Sequence, residues 1–126
     1  MSRLTRFLNF FRVNKSIAID LGTSNVLIYD KQKNKIVLNE PSVIVKNRKT
    51  GEIVAVGKEA KEMEGKTAES TVVIRPLNEG VISDIDATRE MLSAFIRQIY
   101  GGSPFRPELM VCVPIEMTSI EKKAIF

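Results

Sequence analysis

The residues best suited to chemistry lie close together near the start of the chain, in Ile19-Asp20-Leu21-Gly22-Thr23-Ser24-Asn25. An apolar run ends in a carboxylate, a glycine follows two positions later, and three small polar residues complete a turn. Glycine lets the backbone come close to a ligand, and the amides and hydroxyls of such a turn can surround phosphate oxygens. Asp20, at a strand end, is placed to hold a hydrated Mg²⁺, which keeps several waters and takes one or two carboxylates. The same residues also spell an ordinary hairpin turn, and spacing alone does not choose between the two readings.

The rest of the chemical inventory is sparse. The 126 residues contain no His, which excludes imidazole acid/base catalysis, His-ligated metals and the Ser-His and Cys-His nucleophile pairs. The single Cys112 cannot form an intrachain disulfide, and in the apolar run Met110 to Val113 it reads as a buried, inert thiol in a reducing compartment. At 44% hydrophobic and 27% charged, the composition fits one globular domain, and no run approaches the roughly 18 apolar residues of a membrane-spanning helix.

The net charge of +4 is not a nucleic-acid footprint. Arg3, Arg6, Arg12 and Lys15 account for all of it, because residues 16 to 126 balance to zero. In the same segment Leu4, Phe7, Leu8 and Phe11 follow the i, i+3, i+4, i+7 spacing of one helical face, with basic residues on its flanks. Residues 1–15 therefore read as a short basic amphipathic helix suited to an anionic membrane surface. An Arg-rich, acid-free segment also describes a mitochondrial transit peptide, whereas Arg6 and Asn9 interrupt any secretory signal.

The elements that must position the loop follow from periodicity. Ser16 to Leu21 and Val26 to Asp30 read as a hairpin, and Lys35 to Leu38, Ser42 to Val45, Ile53 to Gly57, Val72 to Ile74, Val81-Ile82 and Glu108 to Val113 as further strands. Lys58 to Glu64 reads as a brief helix with a solvated face. Residues 87 to 100 form the clearest helix, N-capped by Asp86, with Thr88, Met91, Leu92, Phe95, Ile96 and Ile99 on one face and Gly101-Gly102 at its end. Thr118-Ser119-Ile120-Glu121 matches a capping box, and the chain reaches Phe126 about two turns later, which reads as a truncation within a helix.

The Asp20 to Asn25 motif resembles the first phosphate-binding loop of the actin, Hsp70 and sugar-kinase superfamily. Ile36 to Val43 (IVLNEPSV), Ala55 to Ala60 (AVGKEA), Ile74 to Ile82 (IRPLNEGVI) and Val111 to Pro114 (VCVP) occur in the order and spacing of the MreB family of bacterial actins. Together these motifs are far more specific than the loop alone. Ser24 stands where Ala is frequent, and Ile115-Glu116-Met117 replaces a smaller turn.

The resemblance implies an α/β, actin-like (ribonuclease-H-like) ATPase fold, incomplete here. Subdomain IA would span 16–33 and 72–126 around a mixed sheet, with a small inserted subdomain IB at 34–71. It implies ATP and Mg²⁺ as cofactors, with Asp20 as the Mg²⁺-associated residue and Gly22, Thr23, Ser24 and Asn25 as the phosphate loop. It also implies a second phosphate loop, a water-positioning Glu and an adenine segment beyond Phe126, so no catalytic residue is expected within the chain and Glu121 is not promoted to that role. Implied partners are further copies in a filament, anionic inner-membrane lipids contacted by Arg3, Arg6, Arg12, Leu4, Phe7, Leu8 and Phe11, and membrane-anchored rod-shape and cell-wall synthesis proteins. The implied location is cytoplasmic, on the inner face of the bacterial membrane. An Hsp70-like chaperone or sugar kinase is the rival reading; the Asn-Glu-Pro-Ser and Ile-Arg-Pro segments argue against it.

Overall fold

The computed structural model describes residues 16–66 and 69–101, together with the backbone of 108–112. The basic segment 1–15 and the capping box at Thr118 lie outside the described residues. In chain order the elements are β1 (Ser16–Leu21), β2 (Asn25–Asp30), β3 (Lys35–Pro41), β4 (Ile44–Asn47), β5 (Ile53–Val56), α1 (Gly57–Met63), β6 (Thr71–Ile74), β7 (Leu77–Asn78), β8 (Val81–Ile82), α2 (Ile85–Tyr100) and β9 (Glu108–Cys112).

The first sheet has the order β3-β2-β1-β9. β1 and β2 pair antiparallel, β3 continues the meander, and β9 joins β1 in parallel, making the sheet mixed. A parallel neighbour requires a crossover, and α2 supplies it. Alternation along β1 buries Ile17, Ile19 and Leu21 on one face and leaves the Asp20 side chain exposed on the other. The buried face meets Val26, Ile28 and Leu38 of the neighbouring strands and Met91, Leu92 and Phe95 of α2 in a single core. A second sheet, β5-β4-β6, carries its own small core of Val43, Val45, Ala55 and Ala60 beneath α1. Lys46 of β4 bonds Glu90 of α2 at 2.9 Å, tying the second sheet to the helix of the first.

Several boundaries depart from the sequence reading for identifiable reasons. β3 runs on to Pro41 instead of stopping at Leu38, because Asn39, Glu40 and Pro41 pair with Leu27, Val26 and Asn25. Sheet membership therefore changes after Pro41. The cap of α2 is Asp84, not Asp86: its Oδ1 accepts from the Ala87 amide at 2.9 Å. Starting the helix there brings Ile85 against the core and leaves Asp86 in the first turn, where the helix dipole favours an acid. Thr88 is fully buried, and its hydroxyl donates to the Asp84 carbonyl at 2.7 Å.

At the far end of α2, Asp30 forms a fully buried clamp. Its Oδ1 accepts from the Gln32 and Lys33 amides at 2.9 and 3.0 Å, and its Oδ2 accepts from the Tyr100 hydroxyl at 2.8 Å. Burial alone raises a carboxyl pKa, but the Lys33 amide, the Tyr100 hydroxyl, the Gln32 amide and the Lys33 charge together hold Asp30 below its ordinary value. Burial and the Asp30 carboxylate push the Tyr100 hydroxyl well above its own.

A depressed folded-state pKa means that the unfolded chain binds the proton more readily. The stability Asp30 contributes is thus present above about pH 4 and lost as pH falls below that value. Asp30→Ala leaves three donors without their acceptor and should lower the unfolding free energy by about 1–3 kcal/mol. Urea unfolding at pH 7 and pH 3 checks this, and the difference between parent and variant should shrink at the lower pH.

Candidate functional site: the β1–β2 loop

The structure places the five expected phosphate-loop residues at one end of the β1–β2 hairpin: Asp20 near the end of β1, Gly22, Thr23 and Ser24 in the connection, and Asn25 at the start of β2. Gly22 N–H donates to the Asn25 carbonyl at 3.0 Å, closing the turn around Thr23 and Ser24. A Cβ on Gly22 would sit 2.6 Å from the Asn25 carbonyl oxygen, so glycine is required by the turn itself before any ligand is considered. The side chains of Asp20, Thr23, Ser24 and Asn25 are all exposed.

Three residues, Gly22 to Ser24, connect β1 and β2. Two-residue hairpin turns that match strand twist use positive φ at their central residues. The only non-glycine residues with positive φ among those described are Asn34 and Glu79. The two-residue β7–β8 turn, with Glu79 at φ 50° and Gly80 at 78°, follows that pattern, whereas none of the three residues between β1 and β2 has a positive φ.

The Thr23-Ser24 turn is held from outside. The Ser42 hydroxyl donates to the Gly22 carbonyl at 2.7 Å, and the Ser42 amide donates to the Ser24 carbonyl at 2.9 Å. From the other side, the Gly80 amide donates to the Thr23 hydroxyl oxygen at 2.8 Å. Because Thr23 Oγ1 accepts there, its own proton is left to donate elsewhere. The Asn25 side-chain amide donates to Asn39 Oδ1 at 2.9 Å, bracing the base of the loop on β3.

Ser42 is in turn fixed by its surroundings. Val43 N–H donates to the Pro41 carbonyl at 2.9 Å across the corner after β3, and Gly57 N–H donates to the Val43 carbonyl at 2.8 Å. The Glu40 carboxylate accepts from the Lys58 amide at 2.7 Å in the first turn of α1. Gly57 has φ +64°, and a Cβ there would meet Glu40 Oε2 at 2.7 Å and Phe95 Cε1 at 2.9 Å. The Asn-Glu-Pro-Ser and Asn-Glu-Gly segments, far apart in sequence, thus bond the loop directly, and the Val-Gly-Lys segment bonds the corner that holds it. The sequence signal for that role is the appearance of these segments in register.

The geometry suits phosphate chemistry in its donor set: exposed hydroxyls, a glycine turn and one exposed carboxylate. Among the described residues no three acidic, His or Cys side chains group closely enough to hold a metal by themselves. A cation beside Asp20 would therefore share its coordination with water and a ligand's own oxygens, which suits Mg²⁺.

Comparison with known proteins decides the lineage. The profile of the MreB/Mbl protein family matches residues 14–126. The chain belongs to the MreB/Mbl family. It is 50% identical to the cell shape-determining protein Mbl of Bacillus cereus, with 88% of this chain and 33% of the relative covered. It is 42% identical to the cell shape-determining protein MreB of Escherichia coli K12, covering 97% and 36%. MreB5 of Spiroplasma citri, solved bound to ADP, superposes with a TM-score of 0.74 at 32% identity, covering 90% of this chain and 34% of that one. The fold is therefore actin-like, and the chain spans about a third of the length of the MreB and Mbl relatives it matches.

The two glycines that carry the convergence should respond differently to substitution. Gly57→Ala forces a Cβ against Glu40 and Phe95 and should cost about 1–3 kcal/mol. Gly80→Ala meets nothing within 4 Å and is strained only by its φ of +78°, so its cost should be smaller. Urea-unfolding midpoints check the order, and equal shifts would contradict the packing argument.

Proposed function

We propose that this chain supplies one wall of an ATP site in an MreB-like cytoskeletal protein that maintains rod cell shape. The observation that carries the reading is the braced turn Gly22-Thr23-Ser24-Asn25, with exposed hydroxyls beside an exposed Asp20, in a family one of whose members is known bound to ADP. Gly22 to Asn25 would cradle the phosphates, and Asp20 would hold Mg²⁺ through water. When bound, the metal neutralises charge on the phosphate oxygens; orienting those oxygens falls to the loop amides and the Thr23 and Ser24 hydroxyls. By resemblance, the water-positioning Glu, second phosphate loop and adenine segment belong to the rest of the protein, so the chain alone is not expected to hydrolyse ATP.

The whole protein, in this proposal, assembles into filaments on the inner face of the bacterial cytoplasmic membrane and organises cell-wall synthesis. Attachment would use residues 1–15. Inserting Leu4, Phe7, Leu8 and Phe11 contributes about 1.5–3 kcal/mol for each fully buried side chain, and Arg3, Arg6 and Arg12 about 1 kcal/mol each at an anionic surface, before ordering costs. One such helix binds weakly and reversibly; many copies along a filament bind firmly.

Two measurements test these parts separately. Asp20→Ala in the full-length protein should weaken Mg²⁺-dependent ATP binding about tenfold or more, read by equilibrium titration with and without Mg²⁺; unchanged affinity removes Asp20 from the site. Phe7→Glu with Phe11→Glu should abolish co-sedimentation with anionic liposomes while leaving thermal unfolding unchanged. Added salt should weaken the parent's attachment, and parent-like sedimentation of the double variant would overturn the anchor.

A further inference from the structure

We propose that Ser42 is a positioning residue for the phosphate loop: from the buried corner after β3 it fixes which way the loop's amides face. This rests on the nucleotide reading above and extends it to a residue outside the loop.

Three observations support it. Ser42 is fully buried, and both its hydroxyl and its amide are committed to loop carbonyls, those of Gly22 and Ser24. A trans peptide holds its carbonyl and the next N–H antiparallel, and no peptide bond described is cis. Drawing the Gly22 and Ser24 carbonyls toward Ser42 therefore turns the Thr23 and Asn25 N–H groups the opposite way, off the corner. Finally, the turn's own closure is the Gly22 N–H bond to the Asn25 carbonyl, while the Gly22 and Ser24 carbonyls are both taken by Ser42.

The anchor is itself rigid. Glu40 and Val43, on either side of Pro41-Ser42, bond the amides of Lys58 and Gly57 at the start of α1. Ser42 thus stands between the loop and the second sheet and cannot shift without disturbing both contacts. It touches no ligand in this account and acts only by orienting groups that would.

The test uses the full-length protein carrying this chain, as parent, Ser42→Ala and Ser42→Cys, the last close to Ser in volume and a weaker donor. Amide hydrogen exchange is followed at residues 22–25 without nucleotide, and Mg·ATP affinity by titration. Ser42→Ala should speed exchange in the loop while leaving β1 and α2 at parental rates. It should also weaken Mg·ATP about fivefold to tenfold, the loss of one hydrogen bond's worth of orientation, with Ser42→Cys intermediate in both. Parental loop exchange and parental affinity in folded Ser42→Ala would overturn the proposal. So would a uniform rise in exchange across the domain, or unfolding of both variants, since Ser42 would then serve folding alone. If Asp20→Ala weakens Mg·ATP and Ser42→Ala does not, only the positioning role fails; if the parent binds no Mg·ATP, the nucleotide reading fails with it.

Discussion

The constraint on which the candidate site depends is a buried hydroxyl holding an exposed turn. Gly22-Thr23-Ser24 connects two core strands and closes on itself through the Gly22 N–H bond to the Asn25 carbonyl. The Ser42 contacts at 2.7 and 2.9 Å anchor it from outside. A hydrogen bond of this kind is modest in net free energy, but a buried donor left unsatisfied is not, so the corner and the loop are strongly coupled. The remaining contacts, Glu40 to Lys58 and Gly57 to Val43, keep the corner in place.

Alternation along β1 gives the first sheet two distinct faces. Ile17, Ile19 and Leu21 bind the strand to α2, while Asp20, one residue out of phase, stands exposed beside the turn. Strand periodicity alone separates the residue that could meet a ligand from those that hold the fold. The second sheet contributes through its connections: α1 packs over Val43, Val45 and Ala55, and its first amides, of Gly57 and Lys58, donate to the corner. Stability and site geometry thus share residues at Gly57 and Glu40, where a substitution is expected to disturb both.

Much of the fold was legible because it depends on local period. The β1–β2 hairpin, the short α1 and the long α2 follow from alternation and from i, i+3, i+4 spacing, and β9 as a strand from its apolar run; its parallel pairing with β1 comes from the fold. What escaped was decided by tertiary contact. Asp84 and Asp86 are equally good caps in isolation, and only the docking of Ile85 chooses between them. The strand read as Lys35 to Leu38 runs on through Asn39 to Pro41 only because those residues pair with β2. At the site, Asp20 to Asn25 were readable as one contiguous motif, but Ser42 and Gly80 lie 20 and 57 positions from their partners. No spacing rule reaches that far; their role emerged only when distant turns were found touching one loop.

The central claim is that the braced turn receives nucleotide phosphate. The most direct measurement follows the backbone amide resonances of Gly22, Thr23, Ser24 and Asn25 as the full-length protein is titrated with Mg·ATP. The account predicts that these four shift most strongly within β1, β2 and their turn, with a midpoint equal to that of binding measured independently. Saturated ATP binding with these four amides unmoved, and the changes confined to other parts of the protein, would contradict it.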